Sequence, residues 1–408
     1  MNLTPPIPVA AATPRQLTTR ASLWLLASIM VAFLAASSAP SPLYAIYKQA
    51  WGFSALTLTV VFAVYAFALM SALLVFGALS DFVGRRPVIL LALGLEAGAV
   101  LLFLYADSVS ALFCARALQG LATGLITSAL SAALIDIDRV HGALVNSVAP
   151  MIGMGIGALG TSLLVQFAPA PTHLVFALLL GVFIVQAVGV WLVPETVVPR
   201  PGAWRSLVPR IAIPRQARAT LWRILPVNTA QWALGGFSLS LGPSLARIVT
   251  GNQSPVIGGL AIAALVVTAA IAIGIVRTHP PHAVLVKGTV VLAAGMLLTL
   301  AAIARASAPA YFIGTAIMGA GFGAGFNGSL RSLVGLAAPE QRGDLMAGFF
   351  ALSYLAFSVP AILAGLAAGH FGLHATALGF LTAILVLALI ALASLRTGVR
   401  SGNRPFLN

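Results

Sequence analysis

The chain has 408 residues, 60% of them apolar and 7% charged, with 22 Lys and Arg against 8 Asp and Glu and a formal net charge of +14. A soluble domain spends roughly a quarter of its residues on charge, so this composition excludes a water-soluble globule. One cysteine, Cys114, excludes a disulfide framework and a cysteine metal centre.

In lipid every backbone N–H and C=O must be satisfied inside the protein, which leaves helices or a closed barrel. The apolar runs are long and do not alternate, so they read as helices. Twelve spans are predicted, at about 22–46, 54–79, 87–106, 109–135, 142–167, 173–193, 224–248, 255–276, 285–304, 309–335, 345–369 and 374–395. Residues 194–223 hold five Pro and six Arg and read as a polar linker. The predicted organisation is a tail over 1–21, a six-helix bundle over 22–193, the linker, a second bundle over 224–396 and a tail over 397–408.

Arg15 and Arg20 precede an apolar stretch ending in small residues, the pattern of a secretory signal. Ala39-Pro40-Ser41 in the first span is echoed, however, by Gly242-Pro243-Ser244 in the seventh. A segment with a twin is expected to be retained. Gln119-Gly120 with Gly124 is echoed by Met318-Gly319 with Gly323, and Gly142 by Gly343. The offset stays near 200, which predicts two pseudo-symmetric copies of one unit.

With the N-terminus inside, Arg15, Arg20, Arg85, Arg86, Arg139, the six linker Arg, Arg277, Lys287, Arg331, Arg342, Arg396, Arg400 and Arg404 fall in the cytoplasm. Only Lys48, Arg247 and Arg305 face the other way. This asymmetry predicts cytoplasmic termini and linker. It also explains the basic charge without nucleic acid, since no basic stripe interleaves with aromatics.

Residues 77–90, GALSDFVGRRPVIL, form the predicted turn between the second and third spans. Gly77 is expected to allow close approach to a neighbouring helix, Gly84 to adopt positive φ, and Pro87 to sit in the first turn of the third span. Asp81 can pair with an Arg or sit against the positive N-terminus of a neighbouring helix, a contact that a sliding interface makes or breaks. The plainer reading is a basic loop that anchors topology.

This stretch resembles the signature loop between helices 2 and 3 of the major facilitator superfamily, roughly G-x-L-a-D-r-x-G-r-[RK], with Phe82 where a basic residue is frequent. Arg116-Ala-Leu-Gln119-Gly120 with Gly124 is similar to the R-x-x-Q-G motif in helix 4 of the proton-coupled drug-efflux branch. Antiporters of that branch usually carry G-x-x-x-G-P-x-x-G-G in helix 5. Here residues 149–162 keep Gly153, Gly155, Gly157 and Gly160 but place Ala158 where Pro would fall, which counts against export without removing it. The resemblance implies a twelve-helix all-α fold and raises Arg116 as a proton-coupling residue. It also places Ser37, Ser38, Ser41, Gln119, Gln231, Trp232, Ser238 and Ser240 on helices that line a central cavity.

Ionisable groups inside lipid are functional candidates. Glu96 and Arg116 lie on adjacent antiparallel spans at depths differing by about four residues, roughly 6 Å. Two readings fit: a structural ion pair, or a carboxylate that exchanges a proton under the influence of Arg116. Asp136, Asp138 and Arg139 are expected either to exchange partners with the 77–90 loop or to form a solvated helix end. Gly323-Ala-Gly325-Phe-Asn-Gly328 matches G-x-G-x-x-G but follows no strand, so it reads as helix packing with Gly319 rather than a nucleotide site. His279, His282, His370 and His374 lack partners for a metal, and no cofactor is expected.

The function these features predict is secondary active transport by alternating access, with proton-coupled export of a small amphipathic or organic compound. The alternative is proton-linked uptake of a small metabolite; a membrane enzyme or a non-transporting sensor is the remote one. The expected partners are a small-molecule substrate, protons and the lipid bilayer. The expected setting is a bacterial cytoplasmic (inner) membrane, with the chain acting as a monomer.

Overall fold

A computed structural model describes residues 16–209, 211–338 and 341–401. Arg15, Arg210, Arg404 and most of the two predicted tails lie outside the described residues. The described chain runs α1 (Thr19–Ser38), α2 (Pro40–Trp51), α3 (Ala55–Phe76), α4 (Ser80–Val83), α5 (Arg85–Leu104), α6 (Val109–Ile137), α7 (Arg139–Phe167), α8 (Pro171–Val190), α9 (Ala203–Ser206), α10 (Arg215–Ser240), α11 (Gly242–Thr250), α12 (Pro255–Val276), α13 (Pro281–Ala304), α14 (Ala308–Val334), α15 (Arg342–Phe371) and α16 (Leu373–Ser401). All twelve expected spans fall on these helices. Ten spans, counting α1 with α2, are long and apolar enough to cross a membrane. The other two are α10 with α11, which carries Arg215, Arg218, Arg223 and Asn228, and α14, whose apolar stretch is rich in glycine.

The first and seventh spans are each broken. α1 gives way to α2 at Ala39 and Pro40, and α10 gives way to α11 at Leu241 and Gly242, just before Pro243. A proline has no N–H to donate and crowds the preceding turn, so each echoed Pro-Ser pair restarts a helix. The sequence echo therefore marks one structural event in both halves. α10 starts at Arg215, inside the segment read as linker. No proline interrupts 215–225, and Ala217, Leu221 and Ile224 are buried in a small apolar cluster, so the helix extends.

Glycines set the close helix pairs. A Cβ at Gly120 or Gly124 would collide with the Tyr65 or Leu69 carbonyl of α3, and one at Gly319 or Gly323 with the Leu265 or Ala269 carbonyl of α12. The echoed pairs thus pack equivalent helices, α6 on α3 and α14 on α12, as small-residue faces in lipid do. Gly153 and Gly157 bring α7 onto Val31 and Ala35 of α1. Gly325 and Gly328 lie against Gln231 and Leu285, so the G-x-G-x-x-G match is a packed helix face.

The halves meet along α7 with α12 and along α3 with α15. Both crossings are tightest toward one end: Gly259 abuts Ser162 and Ala158, and Gly365 abuts Thr59 and Ala55. These residues lie away from the linker, at what is here called the distal face. Toward the linker face the halves part around a cavity.

Candidate functional site: a central cavity and the network behind its wall

The cavity holds about 1030 Å³. Its wall runs from Ser37, Phe62 and Tyr65 at mid-depth to Asp81, Phe82, Arg205 and Asp344 at the linker face, with no lining residue from α2 or α11. It opens toward one side only. Arg205 and its neighbours Gly202 and Ser206 belong to the connection between the halves, which lies across the mouth. That connection is pinned where Arg200 N–H donates to Phe82 O at 2.9 Å and the Arg200 guanidinium stacks over the Phe82 ring at 4.7 Å.

Of the expected cavity residues, Ser37 and Trp232 are on the wall. The others are off it. Ser38 Oγ donates to Met154 O at 2.8 Å across the α1–α7 contact, Ser41 is buried in α2, and Ser240 Oγ donates to Gly236 O at 2.6 Å. Ser238 lines a separate small pocket, and Gln231 is fully buried against Gly325 with neither amide atom hydrogen-bonded. Residue type and helix number do not decide which way a side chain points. The wall is richer than expected in residues the sequence did not single out: Thr123, Thr127, Ser131 and Asn146 from α6 and α7, and Phe326, Phe350, Tyr354 and Phe357 from α14 and α15.

Directly behind Ser37, Tyr65 and Thr123 lies Gln119, fully buried. Glu96 and Arg116, also fully buried, do not form the direct pair expected from their depths; Gln119 stands between them. Arg116 donates to Gln119 Oε1 at 2.7 Å, and Gln119 Nε2 donates to Glu96 Oε1 at 3.0 Å and to Ala36 O at 3.2 Å. Arg116 also donates to Tyr44 Oη and Ser37 O, each at 2.8 Å. The guanidinium sits over Phe62, Tyr65, Tyr44 and Phe103 at 4.8, 5.2, 5.7 and 5.9 Å, so aromatic faces replace part of the lost hydration. One atom on each side is left over: Arg116 Nη2 and Glu96 Oε2 have no partner. Tyr44 was visible in sequence as the fourth residue after Pro40 but carried no motif.

At the linker face the signature loop forms a charge cluster. Gly84 has φ +102 and precedes α5, with Pro87 in its first turn. Gly77 differs from expectation: it lies on the cavity wall, and a Cβ there would meet only the carbonyl of Leu73 in its own helix. Asp81 pairs with Arg85, whose Nε donates to Asp136 Oδ2 at 3.2 Å. Arg86 Nη2 donates to Trp191 O at 2.6 Å. The residue missed is Glu195, whose two carboxylate oxygens each accept from the N–H of Arg85 or Arg86 at 2.9 Å. It was legible in principle as the one acid among the six linker Arg.

Asp136 joins this cluster and also accepts from Thr196 Oγ1 at 3.0 Å, but Asp138 does not. Asp138 caps α7 at the N–H groups of Val140 and His141 and contacts the His141 ring at 2.8 Å. The His141 backbone N–H, followed by its ring, holds the Asp138 carboxyl below the usual carboxylate range. Arg139 opens α7 beside it.

Two packed six-helix halves, sealed at one face and enclosing a cavity that opens at the other, define a membrane transporter. The model of the Major Facilitator Superfamily matches residues 25–279, and the chain belongs to that superfamily. The fold is similar to the crystal structure of the human organic anion transporter MFSD10 (TETRAN), with a TM-score of 0.62 and 20% identity over 92% of this chain and 100% of that one. No curated protein matches the sequence.

Proposed function

We propose that the protein is a proton-coupled transporter that exports a small amphipathic or organic compound by alternating access, with the linker face toward the cytoplasm. The observation that carries this reading is the placement of a buried carboxylate and guanidinium one residue layer behind the wall of a one-sided cavity. Glu96 Oε2 is the free protonation site of the network, and Arg116 Nη2 is its free donor. A shift of α5 against α6 within the first half can pair them directly and expel a proton, or part them and admit one. Gln119 hydrogen-bonds to Ser37's neighbour Ala36 and, through its carbonyl, to Thr123 on the wall, so substrate and proton act on the same helices.

Moving one charge through 100 mV supplies about 2.3 kcal/mol, enough for roughly a fiftyfold gradient. The structural relative is named for organic anions, whereas the charged residues on this wall, Asp81, Arg205 and Asp344, all sit at the mouth. An anionic substrate is therefore not carried over. Proteoliposomes with an imposed pH gradient test the reading. Glu96→Gln is expected to abolish pH-driven accumulation while keeping exchange of substrate for substrate, which needs no net proton movement. A stable Glu96→Gln protein that still responds to the gradient would refute proton coupling at this residue.

A further inference from the structure

The cavity has two chemically different walls. From α10, α14 and α15 come Trp232, Phe322, Phe326, Phe350, Tyr354 and Phe357. The Trp232 ring is edge-on to Phe326, Phe350, Tyr354 and Phe357 at centroid separations of 6.0, 6.4, 4.9 and 6.3 Å. Such a cluster offers faces and edges to another flat ring.

From α6 and α7 come Thr123, Thr127, Ser131 and Asn146. Their hydroxyl protons are already committed to the backbone: Thr123 donates to Gln119 O at 2.8 Å, Thr127 to Thr123 O at 2.6 Å, and Ser131 to Thr127 O at 2.6 Å. A hydroxyl has one proton and two acceptor lone pairs, so toward any further partner these groups only accept. Ser131 Oγ also lies 2.6 Å from Asn146 Oδ1. Its single proton serves either Thr127 O or Asn146 Oδ1, and in both cases Ser131 Oγ can only accept from a further partner, while the Asn146 amide keeps N–H groups of its own. Thr123, Thr127 and Ser131 form a ladder of acceptors along the first-half wall.

We infer that the cavity selects a planar aromatic compound carrying N–H donors on one edge, its ring against Trp232 and Tyr354 and its N–H groups on Thr127 and Ser131. This rests on the transporter reading above and adds the ligand class. In the same pose an aromatic carboxylate sets its oxygens against Thr127 and Ser131 oxygens that have no proton to give. A ring whose N–H groups are replaced by N-methyl leaves the acceptors desolvated and unpaired, which a site built for hydrogen bonds rejects strongly.

Three dyes of similar shape test this by binding to the purified full chain: proflavine with two primary amino groups, acridine orange with the same ring system but dimethylamino groups, and anthracene-9-carboxylate. Proflavine should bind at least about tenfold tighter than acridine orange, the ratio of one good hydrogen bond, and the carboxylate weakest. Thr127→Val with Ser131→Ala should erase the proflavine preference, weakening proflavine and tightening acridine orange as the unpaired acceptors are removed, and binding of acridine orange at least as tight as in the unaltered protein also shows that the variant is folded. Trp232→Ala should weaken both cationic dyes alike. Equal affinities in the unaltered protein, tighter binding of the carboxylate, or a preference that survives in the double variant would overturn the inference. Dye discrimination without proton movement would overturn the transport reading and leave the ligand class standing; proton-driven transport of another solute without discrimination would do the reverse.

Discussion

Gln119 is the residue on which the buried network turns. Its oxygen holds Arg116 and its nitrogen holds Glu96 and the Ala36 carbonyl, so one amide partners three buried groups. Leucine of similar size would leave Glu96 Oε1 and the Ala36 carbonyl without a partner, at about 1–3 kcal/mol each and more where charge is involved, and would take one of the three acceptors of Arg116, which keeps Tyr44 Oη and Ser37 O. Tyr44→Phe is milder: it removes one acceptor from Arg116 Nε but keeps the ring 5.7 Å from the guanidinium. Thermal unfolding of the purified variants should therefore show a large loss for Gln119→Leu and a loss of about 1–3 kcal/mol for Tyr44→Phe. Equal losses would mean that the amide does not bridge the charges. Depth along antiparallel helices brought Glu96 and Arg116 together in sequence, because rise per residue is constant. The glutamine between them was legible only as part of a motif, since helix rotation sets which side chains converge.

At the scale of elements, the loop before α5 is organised by a residue far along the chain. Glu195 accepts from the first two N–H groups of α5, where the helix end is positive, and so fastens the start of the linker to the signature loop. A Cβ at Gly84 would crowd the same carboxylate, which gives that glycine a second reason beyond its φ of +102. Glu195→Ala should free the linker. In inverted vesicles, trypsin should then cut at Arg205 at least several-fold faster than in the unaltered protein, while α5 remains in the membrane; Arg200 precedes Pro201 and is not a tryptic site. An unchanged cleavage rate would leave the Arg200–Phe82 contacts as the sufficient fastening. Helix existence and the halved repeat were legible because period is local, whereas Pro40 and Pro243 show in the sequence only as an echo, and the expected spans 22–46 and 224–248 run through them. The acid clamp was not legible, because it joins positions 110 residues apart.

For the whole molecule, the proposed alternation between closed and open faces would turn on the places where the halves cross most tightly. The distal crossings use Gly259 against Ser162 and Ala158, and Gly365 against Thr59 and Ala55, with no room for a Cβ at either. A leucine cannot enter a backbone contact of this kind without separating the helices, and overpacking of that sort costs about 1–3 kcal/mol per site. The linker-face cavity already has open volume, so separating the distal ends relieves the strain only if the halves rock about the middle and close the other mouth. Gly259→Leu with Gly365→Leu should therefore favour the state open at the distal face by at least about tenfold, since each 1.4 kcal/mol is a factor of ten. A cysteine at Ser128, on the cavity wall, reports the shift in a Cys114→Ser background. A membrane-impermeant thiol reagent should label it from the linker-face side in the parent protein and from the distal side in the double variant. Tryptophan emission shifted by a changed Trp232 environment would give a second reading of the same transition. If the double variant stays folded and labels as the parent does, the distal glycines serve packing alone and the rocking axis lies elsewhere.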